Sequence, residues 1–104
     1  MDLQQRIDAG IKAAMLAREK DKLNALRAIK SAILLELTKD GSSGPLDEAV
    51  GMRILNKLHK QRMESAAIYA EQQRDDLQAE EEAQARAIED YLPKRLSEAE
   101  VEAA

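Results

Sequence analysis

Ile54-Leu55-Asn56-Lys57-Leu58-His59-Lys60-Gln61-Arg62-Met63-Glu64-Ser65-Ala66-Ala67-Ile68-Tyr69 is the stretch whose pattern decides the fold. Stepped at about 100° per residue, Arg53, Asn56, Lys57, Lys60, Glu64 and Glu71 gather on one polar stripe. The rest of the circumference is a wide, mostly apolar arc of Val50, Ile54, Leu58, Tyr69, Leu55, Ala66, Met52, Ala70 and Met63. An arc that broad needs neighbours on more than one side, which predicts a long helix, about 48–72, inside a helical bundle. Asp47 stands just ahead of it as the N-cap.

Composition extends this to the whole chain. Ala, Leu, Glu, Lys and Arg account for 59 of the 104 residues, against ten β-branched residues, two Tyr and no Phe or Trp. Strands are built from what is scarce here, so an all-β or doubly wound α/β fold is excluded and an all-α fold expected. Without cysteine there is no disulfide scaffold and no Cys-ligated zinc or iron–sulfur site. A single His rules out a multi-histidine centre, so no metal and no cofactor is expected. No apolar run approaches the roughly 20 residues of a membrane span, and Met1-Asp2 opens into an amphipathic helix rather than a signal peptide. The expectation is a soluble, cytoplasmic chain without a membrane partner.

The net charge of −4 hides an asymmetry. Residues 1–62 carry 12 basic and 8 acidic groups, and residues 63–104 carry 4 and 12.

Outward from the long helix, Leu3, Ile7, Ile11 and Ala14 predict a first helix over about 2–17, with Asp2 and Asp8 in its early turns. The polar run Arg18-Glu19-Lys20-Asp21-Lys22 breaks the pattern and offers Asp21 as cap of a second helix, about 22–39. Asp40-Gly41-Ser42-Ser43-Gly44-Pro45 is a surface connector of turn residues with no phosphate-loop glycine pattern. A fourth helix, about 75–92, follows a reversal at Gln72-Gln73-Arg74-Asp75 and stops at Pro93. Ser97-Glu98-Ala99-Glu100 is a capping box that starts a fifth. The expectation is one helical hairpin domain over residues 1–96, with 97–104 the start of a second, truncated unit.

Polar residues interrupt the apolar faces. Gln61, Arg62 and Ser65 lie inside the arc of the third helix, and Glu81 and Gln84 inside the seam of the fourth. In an antiparallel hairpin about residues 73–74, Arg62 lies opposite 84–86 and Glu81 opposite Ala66. A polar cluster of Arg62, Glu81, Gln84, Ser65 and Tyr69 is expected, since a buried Arg needs a carbonyl or carboxylate partner. Its role is read as structural, with ligand binding as the alternative. His59 lacks partners for catalysis, Glu80-Glu81-Glu82 point in different directions, and no serine has an adjacent base, so no catalytic residue is assigned. Arg18, Lys20, Lys22, Arg27, Lys30, Lys57 and Lys60 form a candidate RNA-binding set, without aromatics for base stacking.

The ordered series Leu26-Arg27, Lys60-Gln61-Arg62, Glu64-Ser65, Tyr69, Arg74-x-Asp76-Leu77, Glu81 and Tyr91-Leu92-Pro93 resembles the YqeY-like family, over nearly the whole chain. That family is related to the tail region of the B subunit of the tRNA-dependent glutamyl/aspartyl-tRNA amidotransferase. The resemblance implies an all-helical protein with a hairpin domain followed, in full-length members, by a smaller helical unit that is absent here. It also implies kinship with a carbon–nitrogen ligase using glutamine as amido-N-donor, whose tail positions tRNA while the chemistry lies elsewhere. Gln84 departs from the family's usual Glu. The reading is a non-catalytic module that binds tRNA or an amidotransferase-type protein complex. Two alternatives stand beside it: a component of glutamine-dependent amide transfer whose Arg62 cluster contacts substrate, and a self-associating structural hairpin.

Overall fold

The computed structural model describes residues 2–39 and 46–92. Four helices follow in chain order: α1 (Leu3–Ala17), α2 (Lys20–Lys39), α3 (Glu48–Glu71) and α4 (Asp75–Glu89). Among the described residues there is no strand, and no helix is long and apolar enough to cross a membrane. The connector at Asp40–Pro45 and the fifth helix expected at Ser97 lie outside the described residues.

Side-chain carboxylates start the first and third helices. Asp2 accepts from the Gln5 backbone N–H at 2.8 Å while the Gln5 side chain accepts from the Asp2 N–H at 3.1 Å, a reciprocal capping box at α1. Asp47 accepts from the Ala49 N–H at 2.8 Å and caps α3.

The α1–α2 corner differs from the expected one. Arg18 takes a left-handed conformation (φ 59°) and returns its N–H to Ala14 and Met15, so two residues suffice for the break. α2 therefore begins at Lys20 rather than 22, and Asp21 sits inside its first turn instead of capping it. α4 ends at Glu89, and Tyr91 and Leu92 continue in a tighter turn, donating to Ile88 and Glu89 carbonyls.

α2 is the middle element, packed against α1 and α4 with a narrower contact to α3, while α3 lies along α4. Ile7 and Ala14 of α1, Ala25, Leu26, Ile29 and Ile33 of α2, Ile54 and Leu55 of α3, and Ala87 and Ile88 of α4 make one apolar core. Two glycines permit close approach. A Cβ at Gly10 would overlap the Tyr91 hydroxyl and lie 3.0 Å from Leu26 Cδ1. A Cβ at Gly51 would meet Leu3 and Leu46 side chains at 3.0 and 3.2 Å.

The α3–α4 hairpin runs past this core. From Lys60 to Gln84 the one fully buried side chain is Ala66. Met63 and Ala70, expected in the apolar arc, are exposed, because the neighbours that cover the first half of α3 do not extend along the second.

Candidate functional site

α3 and α4 run antiparallel about the turn at Gln72-Gln73-Arg74, where Gln73 takes φ 59°. That arrangement brings Arg62 to Gln84: Arg62 Nε donates to Gln84 Oε1 at 2.8 Å. Both side chains are half-buried, as are Ser65, Tyr69 and Glu81. Among the described residues no hydrogen bond or ion pair links Glu81, Ser65 or Tyr69 to Arg62, and no polar or charged residue is fully buried. The seam is a hydrogen bond from the Arg62 guanidinium to a neutral amide at the edge of solvent, not a fully buried ion pair.

One turn nearer the core, His59 Nε2 lies 2.7 Å from Glu89 Oε2, tying the same two helices at the other end of the seam. At the end of α4, the Arg6 guanidinium stands 5.0 Å over the Tyr91 ring and its Nη2 donates to the Asp90 carbonyl at 3.4 Å. Residues 30 and 84 positions apart meet in these two hydrogen bonds. The helix-by-helix pattern carries no signal for either pair, because both depend on how the helices are rotated in the bundle.

Asp76, in the first turn of α4, has its carboxyl held below the ordinary aspartate value. The Leu77 backbone N–H is the chief cause and Arg74 the next, with Arg74 Nε 3.5 Å from Asp76 Oδ1. Arg74 makes no side-chain cap to α4, so this carboxylate supplies the negative group that the helix start favours.

The seven expected RNA-binding residues divide between faces. Lys30 reaches across to α1 and pairs with Asp8 at 2.8 Å, and Lys22 is half-buried. Lys20 and Arg27 are exposed and, with Asn24 and Ser31, recur at i, i+4, i+7 and i+11 along the outer side of α2, with exposed Arg18 just ahead. That row is about 16 Å long at 1.5 Å per residue. Lys57 lies elsewhere, lining a groove of about 410 Å³ between α2 and α3 with Leu35, Arg53, Ile54 and Leu58. Lys60 is exposed one turn further along α3.

A second hollow, about 340 Å³, opens where α1 and α3 begin, floored by Leu3, Leu46, Met52 and Leu55 and walled by Arg6 and Tyr91. Among the described residues no three His, Cys, Asp or Glu side chains are placed to hold a metal ion.

The fold and these surfaces define a small all-helical module whose polar groups sit at helix seams and on exposed faces. A family model described as Yqey-like protein matches residues 4–104, and the chain belongs to the YqeY-like family. It is similar to altered inheritance of mitochondria protein 41, mitochondrial, of Meyerozyma guilliermondii, with 41% identity over 83 residues. The match covers 79% of this chain and 42% of the relative, so the chain spans about two fifths of that protein's length.

Proposed function

We propose that this chain is a non-catalytic helical module of the YqeY-like family that works in aminoacyl-tRNA metabolism and contacts the tRNA backbone. The observation that carries the reading is the exposed row Arg18, Lys20, Asn24, Arg27 and Ser31, whose cations are engaged by no ion pair among the described residues. Guanidinium and ammonium groups spaced along one helix face suit phosphates, and polar Asn and Ser between them add hydrogen-bond donors. Without aromatics on that face, bases are not stacked, and binding is electrostatic and insensitive to sequence. The family's kinship with the tail of the tRNA-dependent amidotransferase B subunit supports RNA as the ligand. A cytoplasmic location and docking to an amidotransferase-type complex belong to the same proposal.

Titration of labelled tRNA into the chain at several salt concentrations tests it. Three phosphate contacts give a slope that lowers affinity about 20- to 40-fold between 50 and 200 mM salt. The pair Lys20→Glu and Arg27→Glu abolishes most of that binding. Absence of binding at low salt, or binding indifferent to that double reversal, refutes the reading. Glutamine-dependent amide formation by the isolated chain overturns its non-catalytic part.

A further inference from the structure

The flank of α3 that faces away from α4 has an order that the tRNA reading does not use. Along it run Arg53, Ile54, Lys57, Lys60, Gln61, Glu64, Ile68 and Glu71, cations in the half near the core and carboxylates in the half that projects past it. Arg53 approaches Glu36 only at 4.0 Å, and among the described residues no ion pair engages Lys57, Lys60, Glu64 or Glu71. Two large apolar side chains stand open on the same flank: Ile68, 53% exposed, and Leu35 of α2, 70% exposed on the wall of the groove.

These positions are arranged about Gln61. Ile54 and Ile68 lie seven residues to either side of it, Lys57 four before and Glu64 three after, Arg53 eight before and Glu71 ten after. At about 1.5 Å per residue, a two-fold axis through Gln61 sets Ile54 level with a second copy's Ile68. It brings Lys57 within about 2 Å along the axis of the second copy's Glu64, and Arg53 within about 3 Å of its Glu71. Among the described residues the projecting half of α3 has no neighbour on this flank, while the other half has a groove beside it with an apolar floor. The protrusion of one copy therefore fits the groove of the other, and the reverse.

We infer that the chain forms an antiparallel homodimer through the outer flank of α3, with the acidic half of each α3 seated in the cationic α2–α3 groove of its twin. The contact is isologous, so each charge pair and each contact of Ile68 with the groove wall at Leu35 occurs twice. Partner selection comes from the opposed charge halves, because a parallel pairing sets like charges together. Ile68 of one copy covers Leu35 and Leu58 of the other, removing the exposed apolar surface from water.

The test is the mass of the chain in solution, by light scattering across a concentration series at low salt, with circular dichroism confirming helicity for each variant. The expected result is a rise from the 11.6 kDa chain to twice that mass. Lys57→Glu and Glu64→Lys each weaken association at least about tenfold by opposing like charges. The combined variant Lys57→Glu/Glu64→Lys restores it, since the signs are exchanged on both copies. Ile68→Asp abolishes it. A chain that stays at its monomer mass at every concentration overturns the inference, as does a dimer that survives the single reversals and Ile68→Asp. Loss of tRNA affinity in Lys57→Glu, in a chain that is monomeric throughout, also overturns it and assigns the flank to RNA. Because Lys20 and Arg27 lie off this flank, the tRNA proposal and the dimer stand or fall by different variants.

Discussion

Replacing Gly10 by Ala sets two opposed effects against each other at one atom. In a helix interior the exchange is favourable by about 1 kcal/mol, because Ala loses less backbone freedom on folding. The new Cβ, however, overlaps the Tyr91 hydroxyl and lies 3.0 Å from Leu26 Cδ1, a side chain fully buried in the core. Tyr91 can relieve the overlap only by shifting toward the hollow it walls, which disturbs the Arg6 guanidinium over its ring and its packing against the core. Overpacking of this kind costs about 1–3 kcal/mol, so Gly10→Ala is expected to destabilise by about 1 kcal/mol net. At this chain length that lowers Tm by about 4–8 °C. Tyr91→Phe removes the overlapping atom and leaves the ring Cζ at 3.4 Å, an ordinary contact. In the Tyr91→Phe background only the 3.0 Å approach to Leu26 Cδ1 remains, so Gly10→Ala is close to neutral, which gives a coupling of about 1 kcal/mol in the double-mutant cycle. Urea unfolding followed by circular dichroism reads both numbers. Equal stabilisation of both backgrounds by Gly10→Ala would refute the placement of Tyr91 against α1.

Other consequences follow from single contacts. Gln84→Glu turns the Arg62 hydrogen bond into a half-exposed ion pair and gains about 0.5–1 kcal/mol, a gain absent in an Arg62→Ala background. Asp47→Ala removes the α3 cap and costs about 1 kcal/mol in the same unfolding assay. The Asp76 carboxyl is held below its ordinary value, so its contribution is fully present above that value and is lost as pH falls through the folded one. Asp76→Asn should thus be less stable than the parent at neutral pH, with the gap closing as pH falls below the ordinary aspartate value.

The four helices are legible in the sequence because their signals are local. Leu3, Ile7, Ile11 and Ala14 on α1, and the broad apolar arc of α3, follow from spacing alone, and the capping of α3 by Asp47 needs only its neighbours. The start of α2 falls two residues earlier than the pattern predicts because the polar run 18–22 looks uniform, whereas a left-handed Arg18 completes the reversal at once. The arc on α3 also conceals a division. Its first half meets α2 and the start of α1 while its second half runs along α4, and amino-acid type does not record where a neighbouring helix stops. Arg62 and Gln84 meet because an antiparallel hairpin with a known turn brings those two positions together. His59 with Glu89, Arg6 with Tyr91 and Lys30 with Asp8 depend on helix rotation and crossing, which exposed polar residues do not constrain.

The length of hairpin beyond the core has a consequence for how the molecule opens. Between Lys60 and Gln84 helix–helix cohesion rests on Ala66, half-buried side chains and the Arg62–Gln84 contact, while Leu55 and Ile88 are held by all the surrounding helices. The two regions therefore separate into cooperative units of unequal stability. Amides near Ala67 exchange with solvent by melting of the tip alone, whereas amides near Leu55 exchange only when the whole chain unfolds. The last half of α3 is the part of this protein that can be remade, by evolution or by a ligand, without endangering the rest.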